Sequence, residues 1–357
     1  MSQEVKTRTS QWKTVEKVGL VILIVSLAVL MWEPKHIGDL FNLMFDKAFP
    51  VAITLYVTSR VGAAIIISVM MGRLLERLGM TDALMRIFVP IMKYIGVNAA
   101  VGVPSVYNIL GDINAAGRIS APILKKSGAT KDEQKIAIAT MMQNPCSFSI
   151  LVFGIIALSG KANVFLVFVL SLFLPIILVP MLLKLTIWRD TKPVELKDIP
   201  FFTPEEKPIL TTIYAGAREG AEVLFLLIVP ACAVVFAFIG ILDYIGVWAP
   251  ISGAIKGMLG ALNIHPDTGL TSILVGGTLA MVELMKVVQD VPASMVVGSF
   301  VLAASGWPLQ VIFGQIPIIW AGPTDLSERE CIFAACVGGI IRLLYAGLLA
   351  TLYLMFG

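Results

Sequence analysis

The sequence predicts an all-α integral membrane protein with about seven transmembrane helices and two re-entrant helical hairpins in an inverted-topology repeat. Three observations carry this. The 357 residues are 57% hydrophobic and only 14% charged, with mean hydropathy +0.88, whereas soluble domains carry roughly 25% charged residues. Apolar runs long enough, or nearly so, to cross a hydrocarbon core of about 30 Å recur along the chain. Two other segments are too interrupted by Gly, Pro and polar residues to face lipid as one helix, yet too apolar to be solvated loops.

The elements follow in order. Residues 18–32 form a short first span. Trp32, Glu33, Pro34, Lys35 and His36 come next in place of a small-residue cleavage site, so this span is expected to be retained and not removed as a signal peptide. An amphipathic stretch at 36–47 leads to a span at 51–71. Segment 97–125 reads as a hairpin that dips in and returns, because irregular backbone is tolerated at membrane depth where protein or a cavity covers it. Spans at 136–158 and 164–187 follow. Residues 188–208, WRDTKPVELKDIPFFTPEEKP, are the one long charged, proline-bearing stretch and read as a cytoplasmic linker. The pattern then recurs as an amphipathic stretch at 211–222, a span at 223–242, a hairpin at 264–289 and two further spans, the last at 332–356.

At an offset of 167 residues, Glu76 and Gly79 fall on Asp243 and Gly246, Gly102 on Gly269 and Ser105 on Ser272. The expected units are therefore 1–33, the N-terminus and first helix; 34–187, the first repeat; 188–208, the linker; and 209–357, the second repeat. With the N-terminus inside, 20 of the 27 basic residues fall on the inner side and five outside, in line with the positive-inside rule. Three spans per copy is an odd number, so the copies take opposite orientations, as in many secondary transporters. The expected location is a bacterial-type cytoplasmic (inner) membrane, multi-pass, with the N-terminus cytoplasmic.

The net charge of +3 comes from dispersed basic residues and indicates no nucleic-acid partner. The expected partners are the lipid bilayer and a small polar solute, with a homo-oligomer left open. Cys146, Cys232, Cys331 and Cys336 lack metal-ligand spacing, so neither a metal site nor a disulfide framework is expected. No metalloprotease, phosphate-loop or nucleophile-elbow pattern occurs, and an enzyme with catalytic residues is not expected.

An ionisable group inside a span costs several kcal/mol unless it meets a partner or a watery cavity. Asp112, Glu283 and Glu222 are thus the candidate acids, and Asn108, Asn114, Asn144 and Gln310 add donors and acceptors without charge. Arg60 and Arg342 read as structural counter-ions or snorkelling residues. Arg118 and Lys286 read as topology determinants, His265 as a hairpin-entry residue, and Pro145 and Pro308 as kinks.

The stretch Asn108, Ile109, Leu110, Gly111, Asp112, Ile113, Asn114, Ala115 and Ala116, followed by Pro122, Leu124, Glu133 and the helix at 136–142, carries a resemblance. It resembles the Gate, or nucleoside-recognition, domain shared by concentrative nucleoside transporters, spore maturation membrane proteins and the membrane part of ferrous iron transporters. The resemblance covers most of residues 50–160 and, more faintly, 220–320. It implies that Asp112 stands where those transporters place a nucleobase-binding glutamine, and Asn114 where they place a glutamate. The segment AMVELMK is similar to the family's N-E-F segment, which makes Glu283 the ribose-side carboxylate, with Val282 in place of the asparagine. Asn108 resembles an asparagine that helps hold a coupling sodium ion, with Ser147 or Ser149 as co-ligands, although it precedes Gly111 by one residue fewer than in the family. A proton on one buried carboxylate is the other coupling ion.

The function expected is secondary active transport of a small polar solute, nucleoside-like in outline, by alternating access and without a cofactor. The expected binding residues are Asp112, Asn114, Asn144, Glu283 and Gln310. The alternative is a non-transporting membrane assembly protein of the spore-maturation type. Ferrous iron permeation is disfavoured, since the chain shows no GTP-binding domain and no paired cysteine and methionine site in the hairpins.

Overall fold

The computed structural model describes residues 12–195 and 208–356, so the expectations for 1–11 and for the central part of the linker lie outside the described residues. Among the described residues every regular element is a helix, the conformation in which an apolar chain satisfies its own backbone. The first helix, α1 (Thr14–Trp32), buries none of its residues against the rest of the protein, which leaves its apolar surface to lipid.

Helix α2 (Pro34–Phe49) opens on a proline, where the missing N–H is one of the helix's orphan donors in any case. It runs on through a π-helical turn, Pro50–Leu55. An unbroken span at 51–71 is not what forms, because the chain bends by 53° before α3 (Arg60–Arg77). The Thr58 hydroxyl donates to the Thr54 carbonyl at 2.7 Å and the Ser59 hydroxyl to the Leu55 carbonyl, which close the first piece. Ser59 Oγ then accepts from Val61 N at 3.1 Å and starts the second. Arg60 lies exposed at this break.

Helix α4 (Met80–Ile95) sits between Gly79 and Gly96, both in the left-handed region. A 3-10 turn, Ala99–Gly102, leads into α5 (Val103–Leu110), and the chain reverses at Gly111 and Asp112 into α6 (Ile113–Lys126). This is hairpin 1, where the sequence placed it. The expected span at 136–158 is two half-helices, α7 (Lys131–Met141) and α8 (Phe148–Leu158), parted by a segment that contains Pro145. The reciprocal cap of Thr130 and Glu133 starts α7. Helix α9 (Val164–Phe168), a π-helical turn at Val169–Phe173 and α10 (Leu174–Thr186) form one 23-residue stretch. The described part of the linker packs down: Trp188 meets Phe333 edge-on at 6.3 Å, and Lys192 N donates to the buried Glu133 carboxylate at 2.8 Å.

The same order then recurs. Helix α11 (Ile209–Glu222), a π-helical turn at Val223–Ile228 and α12 (Val229–Tyr244) precede α13 (Trp248–Ala261), with a 114° turn between Cys232–Tyr244 and α13. Helices α14 (Pro266–Leu274) and α15 (Gly277–Val287) make hairpin 2. Helix α16 (Ala293–Ala303) ends before Pro308, and a π-helical turn at Val311–Gln315 resumes the path into α17 (Ile316–Trp320). The last helix is α18 (Glu328–Phe356).

The two series pack crosswise. Helix α2 lies on α12 and α3 on α11, while hairpin 1 rests through α6 on α17 and hairpin 2 through α15 on α8. Glycine makes the tightest approaches: a Cβ on Gly72 would lie 2.4 Å from the Leu110 carbonyl oxygen, and one on Gly277 only 2.0 Å from that of Ala303. By length and composition three described helices can cross a membrane, or five if each bent pair is one span. The 11-residue halves α7, α8 and α16 are too short to cross alone.

Candidate functional site

Both hairpin turns and both helix breaks border one central cavity. Hairpin 1 contributes 110–114, the first break 146–148 with Ile150, hairpin 2 275–278, and the second break Pro308, Gln310, Val311 and Gln315. Tyr56, Ile65, Val69 and Arg73 close one side, and Glu219, Val223 and Ile228 another. About 70 Å³ of this space can be occupied by the centre of a water molecule.

Asp112 caps α6. One carboxylate oxygen, Oδ1, accepts from Asn114 N at 2.7 Å and from Asn114 Nδ2 at 2.9 Å, and the other is reached by that same amide at 3.4 Å. Asp112, Asn114, Gln310 and Ser147 all line the cavity. Gln310 Nε2 donates to the Val275 carbonyl at 3.3 Å, which ties the second break to hairpin 2, and its Oε1 is buried without a partner. Ser147 caps α8. Its hydroxyl lies 2.8 Å from Ser149 Oγ, which lies 2.7 Å from Thr278 Oγ1, so three hydroxyls link the first break to hairpin 2.

The remaining expected site residues lie off the cavity wall. Asn108, on the first arm of hairpin 1, is fully buried against the first break, with Nδ2 at 3.5 Å from the carbonyls of both Met141 and Asn144. Asn144 Nδ2 donates to the Leu172 carbonyl at 3.3 Å, and the Oδ1 atoms of both asparagines have no partner. Ser149 is buried one layer behind Ser147. Glu283 is half-buried on α15, the second arm of hairpin 2. Glu222, read from the sequence as an intramembrane acid, is exposed and pairs with Arg218 at 3.0 Å. Its place one turn after Arg218 on α11 explains that pairing.

Sequence reasoning missed Arg73 and Glu219. The Arg73 guanidinium grips Glu219 with two donors, Nε to Oε2 at 2.6 Å and Nη2 to Oε1. Its Nη1 donates to Glu76 Oε2 at 2.6 Å and to Tyr107 Oη at 2.8 Å, and Tyr107 donates to Glu76 Oε1 at 3.1 Å. This network joins α3, α11 and hairpin 1 at the cavity wall. The signal available in the sequence was the Arg73 and Glu76 spacing of three, which puts both on one face of a helix.

Arg342 is fully buried, and it donates to carbonyl and hydroxyl oxygens. It donates to the carbonyls of Val301 and Ala304 at 2.7 Å each and to the carbonyl and hydroxyl of Ser171 at 2.8 Å each. The sequence expected a counter-ion or a snorkelling group. The observed partner is the C-terminal end of α16, whose unpaired carbonyls carry partial negative charge. His265 caps the start of α14, as a hairpin-entry residue should. Arg118 is exposed. Among the described residues the four cysteines are free, and no cluster of three or more His, Cys, Asp or Glu side chains is placed to hold a metal.

No family model and no curated protein sequence matches the chain. Solved structures do. The chain is similar to the concentrative nucleoside transporter CNTnw in an inward-facing substrate-bound state. That match has TM-score 0.63 and 15% identity and covers 97% of this chain and 88% of that one. A doubly substituted form of CNTnw in an outward-facing state gives TM-score 0.60 at 15% identity, over 96% of this chain and 85% of that one. A substituted form in an intermediate state gives 0.57 at 13% identity, over 94% and 87%. At these identities the likeness is one of fold: this is an all-helical, multi-pass membrane protein built on the architecture of CNTnw.

Proposed function

We propose that the chain is a secondary active transporter that carries a small polar solute across a cytoplasmic membrane by alternating access. The observation that carries this reading is the convergence of both hairpin turns and both helix breaks on one cavity that holds Asp112, Asn114 and Gln310. A transporter needs a site that opens to each side in turn, and broken helices at the repeat interface are where such sites are built. The similarity of fold to CNTnw in inward-facing, intermediate and outward-facing states supports the same reading. On it, Asp112, Asn114 and Gln310 touch the solute. A coupling sodium ion then binds between hairpin 1 and the first break, where Asn108 and Asn144 keep unpartnered oxygens, or a proton binds a carboxylate instead.

Cys146 lines the cavity and supplies the test. In proteoliposomes of a variant with Cys232, Cys331 and Cys336 changed to Ala, a membrane-impermeant thiol reagent is expected to label Cys146 when added on either side. Labelling from one side alone, or none at all, overturns the transport reading.

A further inference from the structure

On the reading that the central cavity is the solute site, we infer that the solute carries a cationic N–H group, and that Asp112 is its counter-ion and the residue that sets this specificity. The charged residues lining the cavity are Arg73, Asp112 and Glu219, one positive against two negative, a net −1. Arg73 cannot offset Asp112, because it already holds both carboxylate oxygens of Glu219 together with Glu76 and Tyr107. One arginine therefore serves two acids, and the third acid is left without a cation.

The hydrogen bonds lean the same way. The side-chain amides of Asn114 and Gln310 already donate, to Asp112 and to the Val275 carbonyl. What the lining side chains leave unsatisfied is mainly acceptor. Asp112 Oδ2 has only a 3.4 Å contact, and the buried Oε1 atoms of Gln310 and Gln315 have no partner. A carboxylate held out of water is costly unless a cation meets it, and an N–H-bearing cation supplies both charge and donors. The positive end of α6 is already satisfied by Asp112 as its cap. The start of α15 has no side-chain cap, and it could receive a hydroxyl or carbonyl elsewhere on the same solute without competing for Asp112. An anion of the same shape meets the uncompensated Asp112 and is repelled.

Three flat probes of one shape separate the charges: benzamidine (cation), benzamide (neutral) and benzoate (anion), with uridine as a neutral nucleoside. Binding is measured by calorimetry on the purified full chain in detergent, and each probe is also scored for protecting Cys146 from the thiol reagent. The expected result is benzamidine binding at least tenfold tighter than benzamide or uridine, no benzoate binding, and protection of Cys146 by benzamidine. Asp112→Asn preserves the cap, since Asn and Asp are equivalent there, and it is expected to abolish the preference.

A preference below tenfold, a preference retained in Asp112→Asn, binding without protection of Cys146, or no binding by any probe overturns the inference. The failure of the underlying reading looks different. If uridine protects Cys146 best, the cavity remains the solute site and only the cationic class falls, whereas Cys146 labelled from one side alone removes the transport reading itself.

Discussion

Asp112 serves the backbone and the cavity with the same carboxylate. As cap of α6 it satisfies the Asn114 amide, and removal of such a cap costs about 1 kcal/mol. Asp112→Ala is therefore expected to lower the thermal unfolding midpoint in detergent, while Asp112→Asn leaves it near that of the parent. Gly277 is constrained by space. Its Cβ would fall 2.0 Å from the Ala303 carbonyl, so Gly277→Ala is expected to cost roughly 1–3 kcal/mol by overpacking, read in the same unfolding assay. Asp112, Asn114 and Gln310 were legible in the sequence because a polar residue stands out in an apolar hairpin or beside a kinking proline. Arg73 and Glu219 were not. Each stands near the end of a helix, where a charge reads as a topology mark, and their pairing exists only once α3 and α11 pack together.

At the scale of elements, the hairpins were legible from glycine and polar interruptions, whereas the bend before α3 depends on the hydroxyls of Thr58 and Ser59 bonding backward. The break between α16 and the π-helical turn at Val311–Gln315 is held by Arg342, whose planar fork reaches the carbonyls of Val301 and of Ala304, the residue after α16, and both oxygens of Ser171. A lysine has a point charge and cannot span these sites together. Arg342→Lys is expected to destabilise the fold by about 3 kcal/mol, the scale of one or two lost charge-assisted bonds, again measured by thermal unfolding.

A second tie lies outside the spans, where Asp325 accepts from Gln134 Nε2 at 3.0 Å and pairs with Lys125 at 3.0 Å. The Gln134 hydrogen bond first, and then Lys125, hold its carboxyl below the ordinary carboxylate range. A depressed folded value means that the stabilisation is present above the unfolded value of about 3.9 and is lost as pH falls through the folded one. Between pH 5 and about 3, the unfolding midpoint of the parent is expected to fall more steeply than that of Asp325→Asn.

For the whole molecule, the recurrence of elements and their crosswise packing set up a test of orientation. Lys161 follows α8, and Ser327 occupies the matching place after α17. Opposed copies put these positions on opposite faces of the membrane, and parallel copies put them on the same face. In a variant with all four native cysteines changed to Ala, Lys161→Cys is expected to react with impermeant reagent in intact cells, and Ser327→Cys only after permeabilisation.

The crosswise packing also bears on how the protein is made. Hairpin 1 rests through α6 on α17, and Gly117 of α6 leaves the space that the side chains of Ile319 and Trp320 fill. Those residues leave the ribosome about 200 positions later, a wait of roughly 10–40 s at bacterial rates of synthesis. Throughout that interval a segment bearing Asp112 and Asn114 has been translated while its permanent neighbours have not. Insertion of the first hairpin must then be provisional, sheltered by the insertion machinery or held at the interface, until the second half of the nascent chain arrives to receive it.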